Sequence, residues 1–139
     1  MVDVAYVALG SNLGDRHAYL SRARDALRGL PQTLMIAESS IEETAPIGPV
    51  AQGAFLNQMV ALETSLSPHE LLAQLQAIEA REGRERNEHW GPRTLDLDIV
   101  RFAHQTVDEP ALHVPHPELP NRDFWQRELA ELMHFTKRE

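Results

Sequence analysis

Two aspartates in the second half of the chain have the types and spacing best suited to chemistry. Asp96 and Asp98 alternate with the apolar residues Leu95, Leu97 and Ile99, a pattern that predicts a β-strand. Side chains two positions apart on a strand point to the same face, so both carboxylates are expected there. Neighbouring carboxylates repel unless a cation offsets them, and Mg²⁺ prefers a few carboxylates together with water and phosphate oxygens. The pair therefore predicts a magnesium-nucleotide site, although an isolated Asp-x-Asp is more often a solvated acidic strand face.

Arginines are concentrated just before this predicted strand. Arg84 and Arg86 lie in a charged segment, and the stiff turn Gly91-Pro92 places Arg93 immediately before the acidic strand. The planar guanidinium group binds phosphate oxygens through two parallel hydrogen bonds. A metal with several arginines is what phosphoryl-type transfer requires to neutralise the phosphates. Because glutamates alternate with these arginines, a solvated run of charges explains the same segment.

Further polar residues are candidates for substrate contacts. His116, in a Pro-rich segment, is a candidate hydrogen-bond donor to phosphate or a proton carrier. Arg122, a little further along the chain, is a similar candidate. Asn57 is polar within a strand-like segment, where it could bond the edge of a heterocycle or satisfy a neighbouring backbone group. Three aromatic side chains are candidate stacking partners for a flat ring, with core packing as the alternative: Phe55, Trp90 and Phe124.

Composition limits the classes of protein to consider. The 139 residues predict a single domain over 1–139, and 42% hydrophobic with 24% charged residues is typical of a globular chain. The absence of cysteine excludes disulfides and thiolate chemistry and suits the cytoplasm. A net charge of -8 disfavours nucleic-acid partners. No apolar stretch reaches the roughly 18 residues of a membrane span.

Hydrophobic periodicity predicts alternating strands and helices that carry these residues. The expected strands cover 2–9, 35–44, 55–64 and 94–102, and Gly10-Ser11-Asn12 is expected to break the first. The expected helices run from 16 to 29 after an Asp15 N-cap, from the Ser67–Glu70 capping box to Gly83, and over a short stretch around 125–133. The order strand-helix-strand-strand-helix-strand predicts an α+β, ferredoxin-like βαββαβ core, an antiparallel sheet with helices packed on it.

Taken together, the motifs resemble the 6-hydroxymethyl-7,8-dihydropterin pyrophosphokinase family of folate biosynthesis. The string from His89 to Val100, HWGPRTLDLDIV, is similar to the family signature throughout. Supporting similarities are ALGSNL at 8–13, FLN at 55–57, Arg84-x-Arg86, VPH at 114–116 and NRDF at 121–124. The resemblance covers residues 1 to about 125.

This resemblance implies an activity and its requirements. The family transfers a diphosphate unit from ATP to the hydroxyl group of the pterin, giving AMP and the pterin diphosphate. Two Mg²⁺ ions, a cytoplasmic monomer, and mobile loops at 45–54 and 82–92 that close over the substrates are implied with it. The partners are then small molecules, with neither nucleic acid nor membrane.

The resemblance also implies roles for individual residues. The implied catalytic residues are Arg84, Arg93, Asp96 and Asp98, of which the two aspartates bind metal. The implied ATP-binding residues are Gln76, Glu79, Arg84, Arg86, Arg93, Ile99, His116 and Arg122. The implied pterin-binding residues are Thr44, Pro46, Ile47, Phe55, Asn57, Trp90, Asp96 and Phe124.

The sequence departs from the family pattern after Phe124. The family continues there with apolar residues and a proline, whereas Trp125-Gln126-Arg127-Glu128 is polar here. Two alternatives therefore stand beside the active enzyme: a diverged copy acting on a related pterin, and a non-catalytic protein that binds pterin or nucleotide. An RNA-binding module of the same fold class is disfavoured by the acidic charge and the lack of an aromatic RNA-binding motif.

Overall fold

The computed structural model describes residues 2–46, 48, 52–83 and 94–136. Within these ranges lie seven strands, three α-helices and a 3-10 turn at Leu119–Asn121. The strands are β1 (Asp3–Ser11), β2 (Thr33–Glu38), β3 (Glu42–Thr44), β4 (Phe55–Thr64), β5 (Asp96–Phe102), β6 (Val107–Glu109) and β7 (Leu112–Val114). The helices are α1 (Arg16–Arg28), α2 (Pro68–Arg81) and α3 (Asp123–Thr136).

The main sheet is antiparallel, with the strand order β2-β4-β1-β5 and β3 paired to β4 beyond the end of β2. If β2 and β3 are counted as one interrupted strand, the order is that of a ferredoxin-like fold, which confirms the predicted fold class. The short strands β6 and β7 form a separate hairpin. β1 therefore lies inside the sheet, between the strands that carry Asn57 and the two aspartates.

Each face of the sheet is covered by its own hydrophobic core. On one face α1 and α2 pack through Leu20, Leu27, Leu75 and Ile78, all at most 1% exposed, as the predicted helical stripes require. On the other face α3 packs against alternate residues of β1 and β4. That second core contains Tyr6, Ala8, Met59, Ala61, Val100, Trp125, Leu129 and Leu132. Period-two alternation along the strands thus separates the two faces.

The predicted starts of α1 and α2 are confirmed. The Asp15 carboxylate accepts the backbone N–H of Ala18, and Ser67 and Glu70 form the reciprocal capping box that begins α2. Gly83 follows α2 with a φ of +77°, a left-handed conformation that glycine adopts without strain. No helix in the described ranges is long and apolar enough to cross a membrane.

The single strand predicted for 35–44 is wrong, because the structure divides it into β2 and β3. At the break, Ser39 donates its N–H to the carbonyl of Met59 and accepts the N–H of Met59 on its Oγ. Ser40 donates its backbone N–H to the Glu131 carboxylate on α3. Serine hydroxyls that bond nearby backbone compete with ladder pairing, which explains the interruption at this point.

Three other boundaries differ from the sequence prediction. β1 continues through Gly10 to Ser11, since both flanking strands pair with it there. The segment predicted as irregular after Glu109 contains β7, which pairs with β6. The helix predicted around 125–133 is longer at both ends and spans Asp123–Thr136, because its apolar stripe covers a whole face of the sheet.

A carboxyl group is buried on the inner face of α3. Glu128 is 1% exposed, and neither of its carboxyl oxygens makes a hydrogen bond of ordinary geometry with the described residues. Burial, with the neighbouring Glu42 carboxyl as the second cause, raises the pKa of Glu128 to about 9. Glu42 itself accepts a salt bridge from Arg127 at 2.9 Å. The proton on Glu128 is therefore held by the fold at neutral pH.

Candidate active site

The two aspartates project from β5 as the sequence predicts. Leu95, Leu97 and Ile99 are at most 5% exposed and lie in the core beneath α1 and α2, so Asp96 and Asp98 lie on the opposite face. Both aspartates are half-buried. The described residues contain no cluster of three or more side chains able to hold a metal ion. The chain thus offers a two-carboxylate set here, which fits an ion that completes its shell with phosphate oxygens and water.

A glycine separates the aspartates from Asn57. In the sheet, Gly10 of β1 pairs with Asp96 on one side and with Asn57 on the other. A Cβ atom built on Gly10 would lie 3.4 Å from Asn57 Oδ1 and 3.5 Å from the Phe55 ring. The missing side chain therefore leaves room for the Asn57 amide and the Phe55 ring to lie close to the backbone between the two flanking strands. The sequence prediction took Gly10 for a strand breaker, and its pairing partners are the signal that was missing.

Asn57 lies on β4, between Gly10 of β1 and Glu42 of β3. It is 6% exposed, and its Nδ2 donates to Thr44 Oγ1 at 2.5 Å. Thr44 pairs with Phe55 across the two strands, so three residues predicted for the pterin side are neighbours. Phe124 is half-buried and packs against the second core, the one between α3 and the sheet. Pro46 lies two residues after the end of β3 and is half-buried.

His116 is held beside Asp98 by the backbone. Its N–H donates to the carbonyl of Val100 at 2.9 Å, just after the cis peptide bond that precedes Pro115. Its Nδ1 accepts the backbone N–H of Glu118, which assigns the ring proton of the neutral tautomer to Nε2. Nε2 lies 3.7 Å from Asp98 Oδ1. That separation leaves the Nε2 proton available for a ligand oxygen next to the carboxylate.

Trp125 brings Arg122 to the same region. The Arg122 guanidinium carbon lies 4.3 Å from the centre of the Trp125 ring, and the His116 ring meets that indole edge-on at 4.9 Å. Arg122 Nε is buried without a hydrogen-bond partner among the described residues. The sequence prediction did not include Trp125, whose role depends on how α3 packs on the sheet.

The residues predicted for the nucleotide side do not all share this face. Gln76 is exposed on α2, whereas Glu79 is 4% exposed and accepts the backbone N–H of Leu97. The Ile99 side chain is 3% exposed and belongs to the core beneath α2, so only its backbone could meet a ligand. Five predicted site residues lie outside the described residues: Ile47, Arg84, Arg86, Trp90 and Arg93.

Hydrogen bonds from the end of β1 and the start of α1 fix the chain that leads into β4. Asn12 Nδ2 donates to Gln52 Oε1 and to the carbonyl of Gly53, and Arg16 donates to the carbonyl of Ala54 and to Glu43. Residues 52–54 of the predicted 45–54 loop are therefore tied to the end of β1 and the start of α1.

The chain is similar to known proteins over almost its whole length. The family model for 7,8-dihydro-6-hydroxymethylpterin-pyrophosphokinase (HPPK) matches residues 6–134. Proteins named 2-amino-4-hydroxy-6-hydroxymethyldihydropteridine pyrophosphokinase are 46% identical in Pseudomonas aeruginosa, over 95% of this chain and 82% of that protein, and 44% identical in Bacillus subtilis, over 100% and 83%.

A solved structure supports the fold. The Plasmodium falciparum HPPK-DHPS crystal structure has a TM-score of 0.66 with 13% identity, over 90% of this chain and 36% of that one. The family match and the identities carry the assignment: the chain belongs to the 7,8-dihydro-6-hydroxymethylpterin-pyrophosphokinase family.

Proposed function

We propose that this chain transfers diphosphate from ATP to 6-hydroxymethyl-7,8-dihydropterin, giving AMP and the pterin diphosphate, as a step of folate biosynthesis. The observation that carries the proposal is the row Asp96, Gly10 and Asn57, which sets a carboxylate on one side of Gly10 and an amide on the other. A metal-bound polyphosphate fits the first side and a flat heterocycle the second. The family membership supports the same reaction.

The carboxylate side would hold Mg²⁺. Asp96 and Asp98 are the side chains proposed to bind two ions, because they share a face and are half-buried rather than fully solvated. Bound Mg²⁺ would supply charge neutralisation on the phosphates. His116, whose Nε2 lies 3.7 Å from Asp98 Oδ1, would donate its Nε2–H to a phosphate oxygen of the nucleotide. Arg122 would add a positive charge, its guanidinium oriented by the Trp125 ring.

In the transfer, one phosphorus–oxygen bond forms and another breaks. The pterin hydroxyl oxygen bonds to the β-phosphorus, the bond from that phosphorus to the oxygen bridging it to the α-phosphorus breaks, and AMP leaves with the electron pair. The hydroxyl proton is released. We place Arg84, Arg86 and Arg93 on the phosphates in this step, with Gln76 and the Ile99 backbone on the nucleotide side; Glu79 is treated below.

The amide side would hold the pterin. The Asn57 amide can bond the polar edge of the ring while it keeps its hydrogen bond to Thr44. Phe55 and Phe124 offer ring faces for stacking. Ile47, Pro46 and Trp90 are proposed to complete this side, and loops 45–54 and 82–92 to close over both substrates. We propose that the chain acts as a single-domain monomer in the cytoplasm.

Phosphorus NMR of the purified protein with ATP, Mg²⁺ and 6-hydroxymethyl-7,8-dihydropterin tests the reaction. The expected result is the appearance of AMP and a pterin diphosphate. Formation of ADP would reveal transfer of a single phosphoryl group and contradict the proposal. Binding of both ligands without turnover would identify a non-catalytic binding protein, and turnover confined to another pterin alcohol would identify a diverged specificity.

The Asn57→Ala variant is expected to bind the pterin roughly tenfold more weakly, which corresponds to about 1.4 kcal/mol for a lost hydrogen bond to a buried amide. Its affinity for ATP should stay within about twofold, because Gly10 separates Asn57 from Asp96 and the proposed phosphate side. Calorimetric titration of each ligand measures both values. The exposed amide variant Gln105→Ala is the matched control, and equal losses for both ligands in Asn57→Ala would contradict the assignment.

A further inference from the structure

A buried glutamate on α2 bonds directly to the strand that carries the two aspartates. Glu79 is 4% exposed, and its Oε2 accepts a 2.7 Å hydrogen bond from the backbone N–H of Leu97. Leu97 is the residue between Asp96 and Asp98, so the bond holds the backbone at the midpoint of the carboxylate pair. A carboxylate that accepts from a backbone N–H makes one of the stronger hydrogen bonds found in proteins.

The strand needs such a restraint because its pairing is one-sided and irregular. β5 is at the edge of the main sheet in the described part of the chain, with β1 as its strand partner. The β1–β5 register shifts between Tyr6 and Val7, close to Val100. Such bulges bend a strand and change the direction of its side chains. The irregularity therefore lies two residues from Asp98, and a contact on the other side of β5 restrains the strand next to it.

Two contacts from the α2 side complete the restraint. The Leu97 side chain is 5% exposed in the core beneath α1 and α2, which anchors the strand from the face opposite the aspartates. Glu79 occupies the outer edge, where an N–H group would otherwise meet water or another chain. Mg²⁺ demands near-ideal octahedral geometry, so a small rotation of β5 would alter its binding.

We propose that Glu79 is a positioning residue that fixes the direction of the Asp96 and Asp98 carboxylates for metal binding. The proposal rests on the proposed function insofar as the two aspartates bind Mg²⁺. It assigns Glu79 an action through the backbone of Leu97, in place of the direct contact with ATP that the family resemblance implies. The two roles differ in what they require: the first needs an oxygen acceptor, and the second needs a negative charge.

The Glu79→Met variant tests the role because it keeps the length of the side chain and removes the acceptor. In the metal-free protein, the Leu97 amide is expected to exchange its hydrogen at least about tenfold faster than in the wild type. Mn²⁺, added with an ATP analogue carrying a methylene group between the α- and β-phosphorus, is expected to bind about 10–100-fold more weakly by electron paramagnetic resonance.

The Glu79→Gln variant separates positioning from charge. Its amide oxygen can still accept from Leu97, so amide exchange and Mn²⁺ affinity should both stay within about threefold of the wild type. A Gln variant as defective as the Met variant in Mn²⁺ binding would overturn the proposal in favour of a charge effect. If Glu79→Met fails to fold, the comparison of Glu79→Gln with the wild type remains, and a loss of Mn²⁺ affinity with unchanged Leu97 exchange in the Gln variant would overturn the proposal.

A second glutamate provides the matched control. Glu131 on α3 accepts the backbone N–H of Ser40, away from the aspartates. Glu131→Met should speed exchange of the Ser40 amide and leave Mn²⁺ binding unchanged. Unchanged Mn²⁺ affinity in Glu79→Met, despite faster Leu97 exchange, would reduce Glu79 to a structural residue and reject the proposal. Absence of turnover in the wild type would reject the proposed function instead, since neither exchange nor Mn²⁺ binding requires turnover.

Discussion

Replacement of Asp98 by asparagine is expected to lower kcat by at least about a thousandfold, which corresponds to about 4 kcal/mol of lost transition-state stabilisation. The substitution keeps the shape of the side chain and removes the charge that would hold a magnesium ion against the triphosphate. His116, whose Nε2 lies 3.7 Å from Asp98 Oδ1, keeps its backbone anchors to Val100 and Glu118 in the variant. Turnover is measured at saturating ATP and pterin over a range of Mg²⁺ concentrations.

Asp96→Asn should behave in the same way, since both carboxylates lie on the functional face of β5. The control is Asp108→Asn, which changes an aspartate that is 89% exposed on the β6–β7 hairpin. Circular dichroism should show the same fold for all three variants, because each side chain lies outside the two cores. Turnover within about tenfold of the wild type in either β5 variant, at saturating Mg²⁺, would contradict the metal-binding assignment.

The second large effect concerns stability, and its source is the carboxyl group of Glu128. Its folded-state pKa of about 9 lies above the ordinary value of 4.5, so the folded chain keeps a proton that the unfolded chain has released. Unfolding therefore releases a proton at any pH between these values. The stabilisation associated with this proton is complete below pH 4.5 and is lost progressively as the pH rises towards 9.

Glu128→Met removes this dependence with a side chain of similar length. The variant's free energy of unfolding, relative to the wild type, should increase by about 3 kcal/mol between pH 5 and pH 8, from 1.36 kcal/mol per pH unit with a discount for relaxation. Replacement of a buried carboxyl that lies next to a second carboxyl by an apolar group also favours the variant. Urea denaturation at pH 5, 6, 7 and 8 measures the difference.

The control for this series is Asp25→Asn on α1, where the carboxylate side chain is 74% exposed. That variant removes one acid without removing a buried one, so its difference from the wild type should change little with pH. A constant difference between Glu128→Met and the wild type from pH 5 to 8 would show that the Glu128 proton is not held by the fold.

The features that the sequence predicted well are those that neighbouring residues determine. The alternation of Asp96 and Asp98 with buried leucines assigns both carboxylates to one face, whatever the rest of the fold does. The caps at Asp15 and Ser67 are likewise local, because a side chain bonds a backbone N–H three residues later. The strand order then followed from the succession of elements and the rules of ferredoxin-like sheets.

The features that escaped prediction depend on contacts between distant segments. Gly10 joins the two sides of the proposed site because β1 pairs with β4 and β5 at that residue, and a single sequence carries no record of register. Trp125 matters because α3 places its indole between His116 and Arg122. Glu79 resembled a ligand contact by position, while its hydrogen bond to Leu97 depends on where α2 lies against the edge of β5.

The location of Gly10 also links ligand binding to the integrity of the whole sheet. Asp96 and Asn57 are brought into one row only by β1, which comes from the opposite end of the chain from β5. The proposed site is therefore complete only when these long-range pairings have formed. A ligand that spans the row binds only the folded sheet and raises its free energy of unfolding by RT ln(1 + [L]/Kd). Substrate concentration in the cell then acts as a stabiliser of this chain, and the folded population increases with the supply of the molecules that it consumes.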